Sequence, residues 1–350
     1  MEKQLHGGDL YGRAGMLDFS ANLNPLGMPE GARRALEAPA EGWESYPDPL
    51  CRDLTAALAA QEEVSAEWIQ VGPGAADLLY RAALALRPRA ALTLAPTFSE
   101  YEAALRASGC EVGLHPLYEK DGFALTDSFL KKLSPALDFV ALCNPNNPTG
   151  RTIDPALMER ILKRCRDYGI TLLVDECFVP FLDHPEEHTL KKRLKEFPNL
   201  ILLSAFTKLY AMAGLRLGWV CCSDRGTLDR LAACAPPWDV SAPAQAAGLA
   251  ALAEGDYLAR TRETVAGERA WLGERLRELG LQVIGSEANY VFFKCHSRKD
   301  LAERLEERGI LIRSCANFRG LDKRFYRVAV KDHEKNKRLA AALAEVLKGA

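Results

Sequence analysis

An excess of basic residues is the first thing that the sequence lacks. Its 350 residues contain 45 Lys and Arg against 47 Asp and Glu, which gives a formal net charge of −2 at neutral pH. Proteins that bind nucleic acids need clustered positive charge to contact the phosphate backbone, so this balance argues against a nucleic-acid partner. The hydrophobic fraction of 48% and the charged fraction of 26% are those of a folded globular protein, which excludes a disordered or fibrous chain.

Long hydrophobic runs are also absent. The longest uncharged run covers residues 240–253, contains Pro243 and is too short to span a bilayer. The first residues, MEKQLHGG, include no apolar segment of the kind that a secretory signal peptide needs. We therefore expect a cytoplasmic protein that does not interact with a membrane.

Cysteine pairs of the C-x-x-C type are missing as well, although the chain has ten cysteines. We therefore expect neither a zinc site nor a thioredoxin-like redox site. His184 and His188 have the four-residue spacing of some metal ligands, but Pro185 lies between them in a polar stretch. This pattern favours a surface loop, and we expect no metal site.

Short apolar segments alternate with amphipathic segments between residues 45 and 253. The apolar segments predict strands at 69–71, 91–94, 139–143, 171–174, 200–203 and 217–222, and the amphipathic segments predict helices at 75–86, 99–108 and 155–168. This alternation predicts an α/β fold whose mostly parallel sheet is covered by helices on both faces. In such folds, ligands bind beyond the carboxyl ends of the strands.

The chain is expected to divide into three parts. Residues 1–40 are rich in turns and predict an N-terminal arm that packs with a small domain. Residues 41–255 form the predicted large cofactor-binding domain, and residues 256–350 form a small C-terminal α+β domain. A charged helix predicted at 257–279 links the two.

Polar residues follow several of the predicted strands. The segment at residues 72–77, G-P-G-A-A-D, places small residues and free N–H groups at the start of a helix, where an anion can bind; an ordinary helix start explains it equally well. The segment at 144–150, N-P-N-N-P-T-G, predicts a rigid loop that presents an amide side chain. Asp175 ends a strand that should be buried, where a carboxylate is costly without a cationic partner. Lys208 follows the next strand; taken alone, it could simply extend to solvent.

Taken together, these groups have the chemistry that pyridoxal phosphate requires. An amine, an acid, an asparagine and an anion-binding turn supply the covalent attachment, the partner of the pyridine nitrogen, the partner of the ring hydroxyl and the phosphate site. The N-P-T-G motif at 147–150, the D-E pair at 175–176, and T-K followed by G-L-R-L-G at 214–218 resemble the class I/II aminotransferase superfamily of fold-type I pyridoxal-phosphate enzymes. The resemblance covers nearly the whole chain.

The resemblance implies a role for each residue. Lys208 would attach the cofactor and then move protons, Asp175 would keep the pyridine nitrogen protonated, and Asn147 would hydrogen-bond the ring hydroxyl oxygen. Phe98 would stack on the ring. The cofactor phosphate would be held by Gly74, Ala75, Ala76, Ser204, Thr207 and Arg216.

The resemblance also implies how the substrate and a second subunit take part. Arg327 would grip the substrate carboxylate through two parallel hydrogen bonds, and Asn147 would lie close enough to contact the substrate too. Tyr46 would reach the cofactor phosphate of the neighbouring subunit, which implies a homodimer with shared active sites.

Phe178 departs from the aminotransferase pattern, which usually has a tyrosine there. Together with H-G-G at 6–8, the segment at 18–27 and N-F-R-G-L at 317–321, it makes the chain similar to the threonine-phosphate decarboxylases of cobalamin biosynthesis. That similarity implies that the substrate phosphate is met by His6, Asn22 and Arg313, with Arg327 as a further contact. The link between residues 6 and 18 is shorter than in that group and lacks a helix, which leaves the geometry at the phosphate open.

The implied reaction is the pyridoxal-phosphate-dependent decarboxylation of L-threonine O-3-phosphate to (R)-1-aminopropan-2-ol O-2-phosphate and CO2. Serine O-phosphate is a close variant as the phosphorylated amino acid. The alternative activity is that of a histidinol-phosphate aminotransferase or a related aminotransferase. A non-catalytic binding domain with this fold would not need Lys208, so the complete set of cofactor residues argues against that third interpretation.

Overall fold

The computed structural model of the chain describes residues 6–37 and 43–348. The strands in these ranges form a seven-stranded, a four-stranded and a two-stranded sheet. They are β1 (Leu17–Asp18), β2 (Ile69–Gly72), β3 (Ala90–Ala95), β4 (Glu111–Pro116), β5 (Phe139–Cys143), β6 (Thr171–Asp175), β7 (Leu200–Ala205), β8 (Gly218–Cys221), β9 (Gln282–Gly285), β10 (Tyr290–Lys294), β11 (Ile310–Leu311), β12 (Arg313–Ser314) and β13 (Phe325–Ala329).

Helices cover both faces of the largest sheet and one side of the four-stranded sheet. They are α1 (Glu30–Glu37), α2 (Arg52–Glu62), α3 (Ala75–Leu86), α4 (Glu100–Ala107), α5 (Pro155–Asp167), α6 (Phe206–Leu209), α7 (Arg225–Ala233), α8 (Ala242–Leu252), α9 (Tyr257–Glu278), α10 (Leu301–Glu306) and α11 (His333–Lys348). Within the described ranges, no helix has both the length and the apolar character needed to cross a membrane.

The seven-stranded sheet confirms the predicted mostly parallel architecture. Its strand order is β2-β8-β7-β6-β5-β3-β4, and β8 alone runs antiparallel to its neighbours β7 and β2. The side chains of β5 alternate between two hydrophobic clusters: Val140 and Leu142 belong to one, and Phe139, Ala141 and Cys143 to the other. The strand is apolar throughout because both of its faces are buried.

We call the seven-stranded sheet with helices α2–α8 the large lobe, and strands β9–β13 with helices α10 and α11 the small lobe. The four-stranded sheet of the small lobe is antiparallel, with the order β12-β13-β10-β9. Phe293, Val328 and Leu343 are buried in the hydrophobic cluster of this lobe. The long helix α9 runs between the lobes and contributes Leu272 and Leu276 to the same cluster.

The N-terminal segment packs on the small lobe. Strand β1 pairs in parallel with β11, and Phe19, which follows β1, is buried in the cluster of the small lobe. The N–H of Ala329 donates to the carbonyl of Phe19 at 2.8 Å. Residues 6–16, all of which the structure describes, form turns and contain no helix. The domain boundaries at 40 and 255 remain predictions.

The register of the large sheet brings the polar segments to one edge. Cys143 of β5 lies opposite Asp175 of β6, and Asp175 lies opposite Leu203 of β7. Gly218 of β8 lies opposite both Ala205 of β7 and Gly72 of β2. Since β2, β5, β6 and β7 all point the same way, the residues that follow them meet beyond their carboxyl ends.

Candidate active site

A cavity with a water-accessible volume of about 200 Å³ lies beyond this edge, between the large lobe, the small lobe and the N-terminal segment. Seven residues predicted from the sequence line it: His6, Asn22, Phe98, Asn147, Lys208, Arg313 and Arg327. Phe178 also lines the cavity, where its ring packs edge-on against Tyr290 with the centroids 5.0 Å apart. The structure thus brings together residues from positions 6 to 327 of the chain.

Lys208 enters the cavity from α6, which follows β7 directly. Burial, followed by the positive charge of Arg327, lowers the pKa of its ammonium group from the usual 10.5 to about 8, although Cys177 and Asp175 act in the opposite direction. A pKa of about 8 leaves a substantial fraction of the amine neutral near neutral pH. A neutral amine is the form that attacks a carbonyl carbon.

Asp175 is held from two sides. The hydroxyl of Tyr101 donates to its Oδ2 at 2.6 Å, and the backbone N–H of Cys177 donates to its Oδ1 at 2.9 Å. Burial, followed by the charge of Asp175, raises the pKa of Tyr101 well above its usual value, so the phenol remains a donor. The sequence analysis missed Tyr101. Its position one helical turn after Phe98, at the start of α4, places it near the predicted cofactor site and could have identified it.

Arg327 joins three parts of the chain. One terminal nitrogen of its guanidinium donates to Oδ1 of Asn147, and the other donates to the carbonyl of Ser20 at 2.7 Å. Its Nε has no partner among the residues that the structure describes. Two of the five N–H donors of an arginine are therefore used here, and three remain for a ligand. Asn147, whose oxygen is taken by Arg327, keeps its amide N–H donors.

The start of α3 forms a cradle for an anion. Gly74 has a φ of 95°, and a Cβ built on it would lie 2.9 Å from Nη2 of Arg216. A Cβ on Gly218 would lie 2.8 Å from the backbone nitrogen of Ala75. The guanidinium thus lies against the first turn of a twelve-residue helix, whose N–H groups have no partners within the helix. Both glycines are needed because a side chain would fill this space.

A second group of cavity residues lies on the N-terminal segment and the small lobe. Arg313 donates to the carbonyl of Ser314 at 2.9 Å and to Oδ1 of Asn317 at 2.8 Å, and burial lowers its pKa to about 10. Oδ1 of Asn22 is buried with no partner in the described part of the chain. Nε2 of His6 lies 3.0 Å from Oε1 of Glu100. All three residues line the cavity, and Arg313 lies opposite Arg327 of β13.

Other expected residues lie outside the cavity lining. Tyr46 has 78% of its surface exposed and stacks on Trp238, with the ring centroids 4.4 Å apart. Ser204 lines a second cavity, which Trp219 also lines. Thr207 lies on α6 next to Lys208 but does not line the cavity. The sequence analysis also missed Glu102 and Arg319, which do.

The predicted surface loop around His184 contains a short 3-10 helix at Pro185–Glu187. His184, Glu186 and Glu187 are exposed, and their possible ligand atoms lie within 4.8 Å of one another. His188 is not part of this group. Exposed acidic groups often lie this close together without an ion, so we assign no metal site to this cluster.

This arrangement defines an enzyme of the aminotransferase type. The model of the family "Aminotransferase class I and II" matches residues 14–343, and the chain belongs to that family. The threonine-phosphate decarboxylase of Salmonella typhimurium is 42% identical over 336 residues, which are 95% of this chain and 92% of the relative.

Solved structures agree with that relationship. The L-threonine-O-3-phosphate decarboxylase of Porphyromonas gingivalis superposes with a TM-score of 0.83 at 28% identity, over 95% of this chain and all of the other. The histidinol-phosphate aminotransferase of Clostridium acetobutylicum superposes with a TM-score of 0.89 at 27% identity, over 96% of this chain and all of the other.

Pyridoxal 5'-phosphate is the cofactor of this family, and the residues present fit it. The cradle at Gly74 and Arg216 offers space, N–H groups and positive charge to a phosphate. Lys208 and Asp175 offer an amine of lowered pKa and an oriented carboxylate. The predicted fold and cofactor are thus confirmed, while the roles of individual residues remain to be proposed.

Proposed function

We propose that this chain is a pyridoxal-phosphate-dependent carboxy-lyase. It converts L-threonine O-3-phosphate to (R)-1-aminopropan-2-ol O-2-phosphate and CO2, a reaction of cobalamin biosynthesis. One observation carries the proposal: besides Lys208, the cavity lining holds several groups that can bind anions, namely Arg327, Arg313, His6 and Asn22, and Arg313 lies opposite Arg327 on the neighbouring strand. A phosphorylated amino acid has the two anionic groups that such a cavity accommodates. The 42% identity to the Salmonella typhimurium threonine-phosphate decarboxylase supports the choice of substrate.

Lys208 and Asp175 are the proposed catalytic residues, and the other contacts hold the cofactor. When bound, pyridoxal phosphate accepts the electron pair that a departing group leaves on the substrate's α-carbon. Asp175, oriented by Tyr101, holds the proton on the ring nitrogen, and Asn147 donates to the ring oxygen. The phosphate and ring face are held by Gly74, Ala75, Ala76, Phe98, Thr207 and Arg216. Ser204, which lines the second cavity, belongs to the proposed set as well.

Lys208 moves protons at its Nζ atom. Because its pKa is lowered to about 8, the amine exchanges between its neutral and charged forms close to physiological pH, as an efficient acid and base must. Phe98 and Phe178 line the same cavity and reduce the access of water to Nζ. The proton that completes the product after CO2 leaves is assigned to this atom.

The two anchors orient the substrate. Arg327 keeps three N–H donors for the substrate carboxylate, while Arg313 and His6 hold its phosphate. Fixing both ends would set the rotation about the α-carbon, and this rotation decides which bond at that carbon the bound cofactor would weaken. We infer that the phosphate contacts would select the bond to the carboxylate and not the bond to hydrogen.

The alternative is a histidinol-phosphate aminotransferase. The TM-score of 0.89 to the enzyme of Clostridium acetobutylicum favours it, and its substrate also carries a phosphate. It lacks a carboxylate, however, so Arg327 would serve only the amino acceptor in that reaction. The two activities therefore differ in whether CO2 is released without a 2-oxo acid.

The test is an incubation of the holoenzyme with L-threonine O-3-phosphate and no 2-oxo acid, followed by mass spectrometry of the products. We expect CO2 and 1-aminopropan-2-ol O-2-phosphate, with serine O-phosphate measured in parallel to rank the two side chains. Lys208→Ala is the control, and borohydride reduction with peptide mapping should place the cofactor on Lys208. Transfer of nitrogen from histidinol phosphate to 2-oxoglutarate, without CO2 release, would assign the aminotransferase instead.

A homodimer with shared active sites is part of the same proposal. Tyr46 and Trp238 present a stacked aromatic pair at the surface, and a second subunit would bury it. Tyr46 would then reach the cofactor phosphate in the partner's cavity.

The organisation and location of the chain complete the proposal. We propose the division into an arm at residues 1–40, a large domain at 41–255 and a small domain at 256–350. It is supported by two hydrophobic clusters, one of which lies wholly within the large lobe while the other combines the small lobe with Phe19 and helix α9. We also propose a cytoplasmic location, since all ten cysteines are free thiols, as a reducing compartment maintains them.

A further inference from the structure

An ion pair joins the two lobes at the wall of the active-site cavity. Arg319 lies between β12 and β13 of the small lobe, and Glu102 lies on α4 of the large lobe. Nε of Arg319 donates to Oε2 of Glu102 at 2.8 Å, and Nη2 donates to Oε1 at 2.9 Å. Both residues line the cavity. This two-pronged contact fixes the relative orientation of the two side chains more firmly than a single hydrogen bond does.

The charges around the pair are unequal. Of the described residues that line the cavity, Glu102 is the one carboxylate, and it faces five cationic or titratable basic side chains: His6, Lys208, Arg313, Arg319 and Arg327. Nε of Arg106, on the same helix, also donates to Glu102 at 2.8 Å. Burial raises the pKa of Glu102, but its contacts with Arg319 and Arg106 outweigh that effect and lower the pKa. Glu102 is therefore ionised at neutral pH.

The N-terminal segment contacts the same turn of α4. Nε2 of His6 lies 3.0 Å from Oε1 of Glu100. The other carboxylate oxygen of Glu100, Oε2, accepts a hydrogen bond from the hydroxyl of Tyr80 at 3.1 Å. The segment of His6 is attached to the small lobe through β1 and β11. Two contacts therefore tie the small lobe and its attached segment to the first turn of one helix, directly after Phe98.

We propose that the Arg319–Glu102 pair is a clasp that closes the cavity and sets how fast a phosphorylated ligand enters and leaves. An approaching phosphate is attracted by Arg319 and repelled by Glu102, and it must part them to pass between the lobes. The side chain of Arg319 is 63% exposed and that of Glu102 is 14% exposed. Water therefore competes with the ion pair mainly for the hydrogen bonds of Arg319. The nature of the ligand rests on the proposed function, whereas the clasp itself does not.

Hydrogen exchange of the holoenzyme tests the clasp without any substrate. We expect Arg319→Gln and Glu102→Gln each to increase the exchange of amides at 315–321 about 2- to 5-fold, which is the scale of an exposed ion pair. The double variant should show no further increase, because both single variants remove the same contact. Arg319→Lys, which keeps the charge but not the two-pronged geometry, should fall between.

Arg160→Gln is the matched control. Arg160 forms a two-pronged pair with Asp127 at 2.7 and 2.5 Å, but both residues belong to the large lobe and neither lines the cavity. In the Arg160→Gln variant, the hydrogen exchange of the amides at 315–321 and the enzyme activity should equal those of the unaltered chain. Equal exchange in Arg319→Gln and this control, or additive effects in the double variant, would overturn the clasp.

Binding kinetics of inorganic phosphate to the holoenzyme separate a clasp from a simple ligand. Opening a clasp raises the association and dissociation rate constants together, so we expect Arg319→Gln to raise both. A rise in the dissociation rate constant alone would make Arg319 an ordinary phosphate contact and would overturn the proposal. Neither hydrogen exchange nor phosphate-binding kinetics requires decarboxylation. Both experiments therefore still test the clasp if the enzyme proves not to be a decarboxylase.

Discussion

Lys208 and Arg327 are two cations in one cavity, and the charge of Arg327 influences the proton on Lys208. Burial and the charge of Arg327 lower the pKa of Lys208. Burial also lowers the pKa of Arg327, which nevertheless stays charged because the ordinary pKa of a guanidinium is so high. The lysine is therefore the partner that gives up its proton.

We expect the amine of Lys208 in the cofactor-free protein to react with an amine-directed reagent with a midpoint near pH 8. Arg327→Gln removes the neighbouring charge, and the midpoint should rise, because loss of the proton is no longer favoured by that cation. The rate of labelling at Lys208 against pH, followed by peptide mass spectrometry, measures it. Arg313→Gln removes a cavity cation that is not among the charges acting on Lys208, and it should leave the midpoint in place. A midpoint near the ordinary value of about 10.4 in the unaltered chain would contradict the prediction.

Tyr101→Phe removes one of the two hydrogen bonds that hold Asp175. A hydrogen bond to a charged group contributes about 1.5–3 kcal/mol, so we expect kcat to fall roughly 10- to 100-fold. The pH at which the bound cofactor changes its absorbance should shift as well, since Asp175 holds the ring proton less firmly. Both are measured on the purified holoenzyme.

Tyr210→Phe is the matched control for this substitution. Tyr210 is also a buried tyrosine, and its hydroxyl donates to Gln61 at 3.0 Å, outside the active-site cavity. Its loss should leave the absorbance titration unchanged. An equal shift in both variants would mean that Tyr101 acts through general stability and not through Asp175.

At the level of the elements, strand ends are what the sequence predicts best. β5 is apolar throughout, and β6 and β7 nearly so, because both faces of the sheet are covered. Asn147, Asp175 and Lys208 therefore stand out at or just after the ends of these strands. The match of all three to one sheet edge followed from parallel pairing alone. The helix α3 was equally clear, since its amphipathic pattern begins directly after Gly74.

The elements that the sequence did not reveal depend on tertiary contacts. β4 lies at the sheet edge, with exposed residues such as Glu111, so it lacks the continuous apolar pattern of the inner strands. The contact of Arg319 with Glu102 joins residues 217 positions apart and has no local signal. The role of Ser204 stays a prediction, because alternate residues of β7 point to opposite faces and the motif alone does not fix which face meets the cofactor.

Gly74→Ala tests the cradle at the start of α3. The new Cβ would lie 2.9 Å from Nη2 of Arg216 and would displace that guanidinium, so we expect weaker binding of the cofactor. Titration of the cofactor-free protein with pyridoxal phosphate, followed by fluorescence, measures the dissociation constant.

Gly109→Ala separates this effect from backbone strain. Gly109 also has a positive φ, of 86°, but nothing lies within 4 Å of its added Cβ. Both variants carry a strain of order 1–3 kcal/mol, so both should melt at a lower temperature. Only Gly74→Ala should bind the cofactor less tightly, and equal affinities in the two variants would remove the cradle from the proposed site.

At the level of the whole molecule, we proposed that one chain completes the site of another through the exposed pair of Tyr46 and Trp238. Mixing Lys208→Ala with Tyr46→Phe should restore activity in hybrid dimers, because one of the two sites then has both native residues. Activity is measured after subunit exchange, which tagged chains can verify. Exchange without recovery would contradict shared sites, provided that Tyr46→Phe is strongly impaired when it is alone.

The guanidinium of Arg327 binds the carbonyl of Ser20, 307 residues earlier in the chain, and β1 pairs with β11 across a similar separation. A ribosome adds about 5–20 residues per second. Strand β11 would therefore be synthesised roughly 15–60 s after its partner strand β1 in the N-terminal segment. The large lobe, whose strands end at Cys221, can be synthesised and begin to fold long before that. The residues proposed to hold the substrate can therefore come together only after most of the chain has been made. A chain released early from translation would carry Lys208 and the cradle at Gly74, but it would lack Arg313 and Arg327 to hold a substrate.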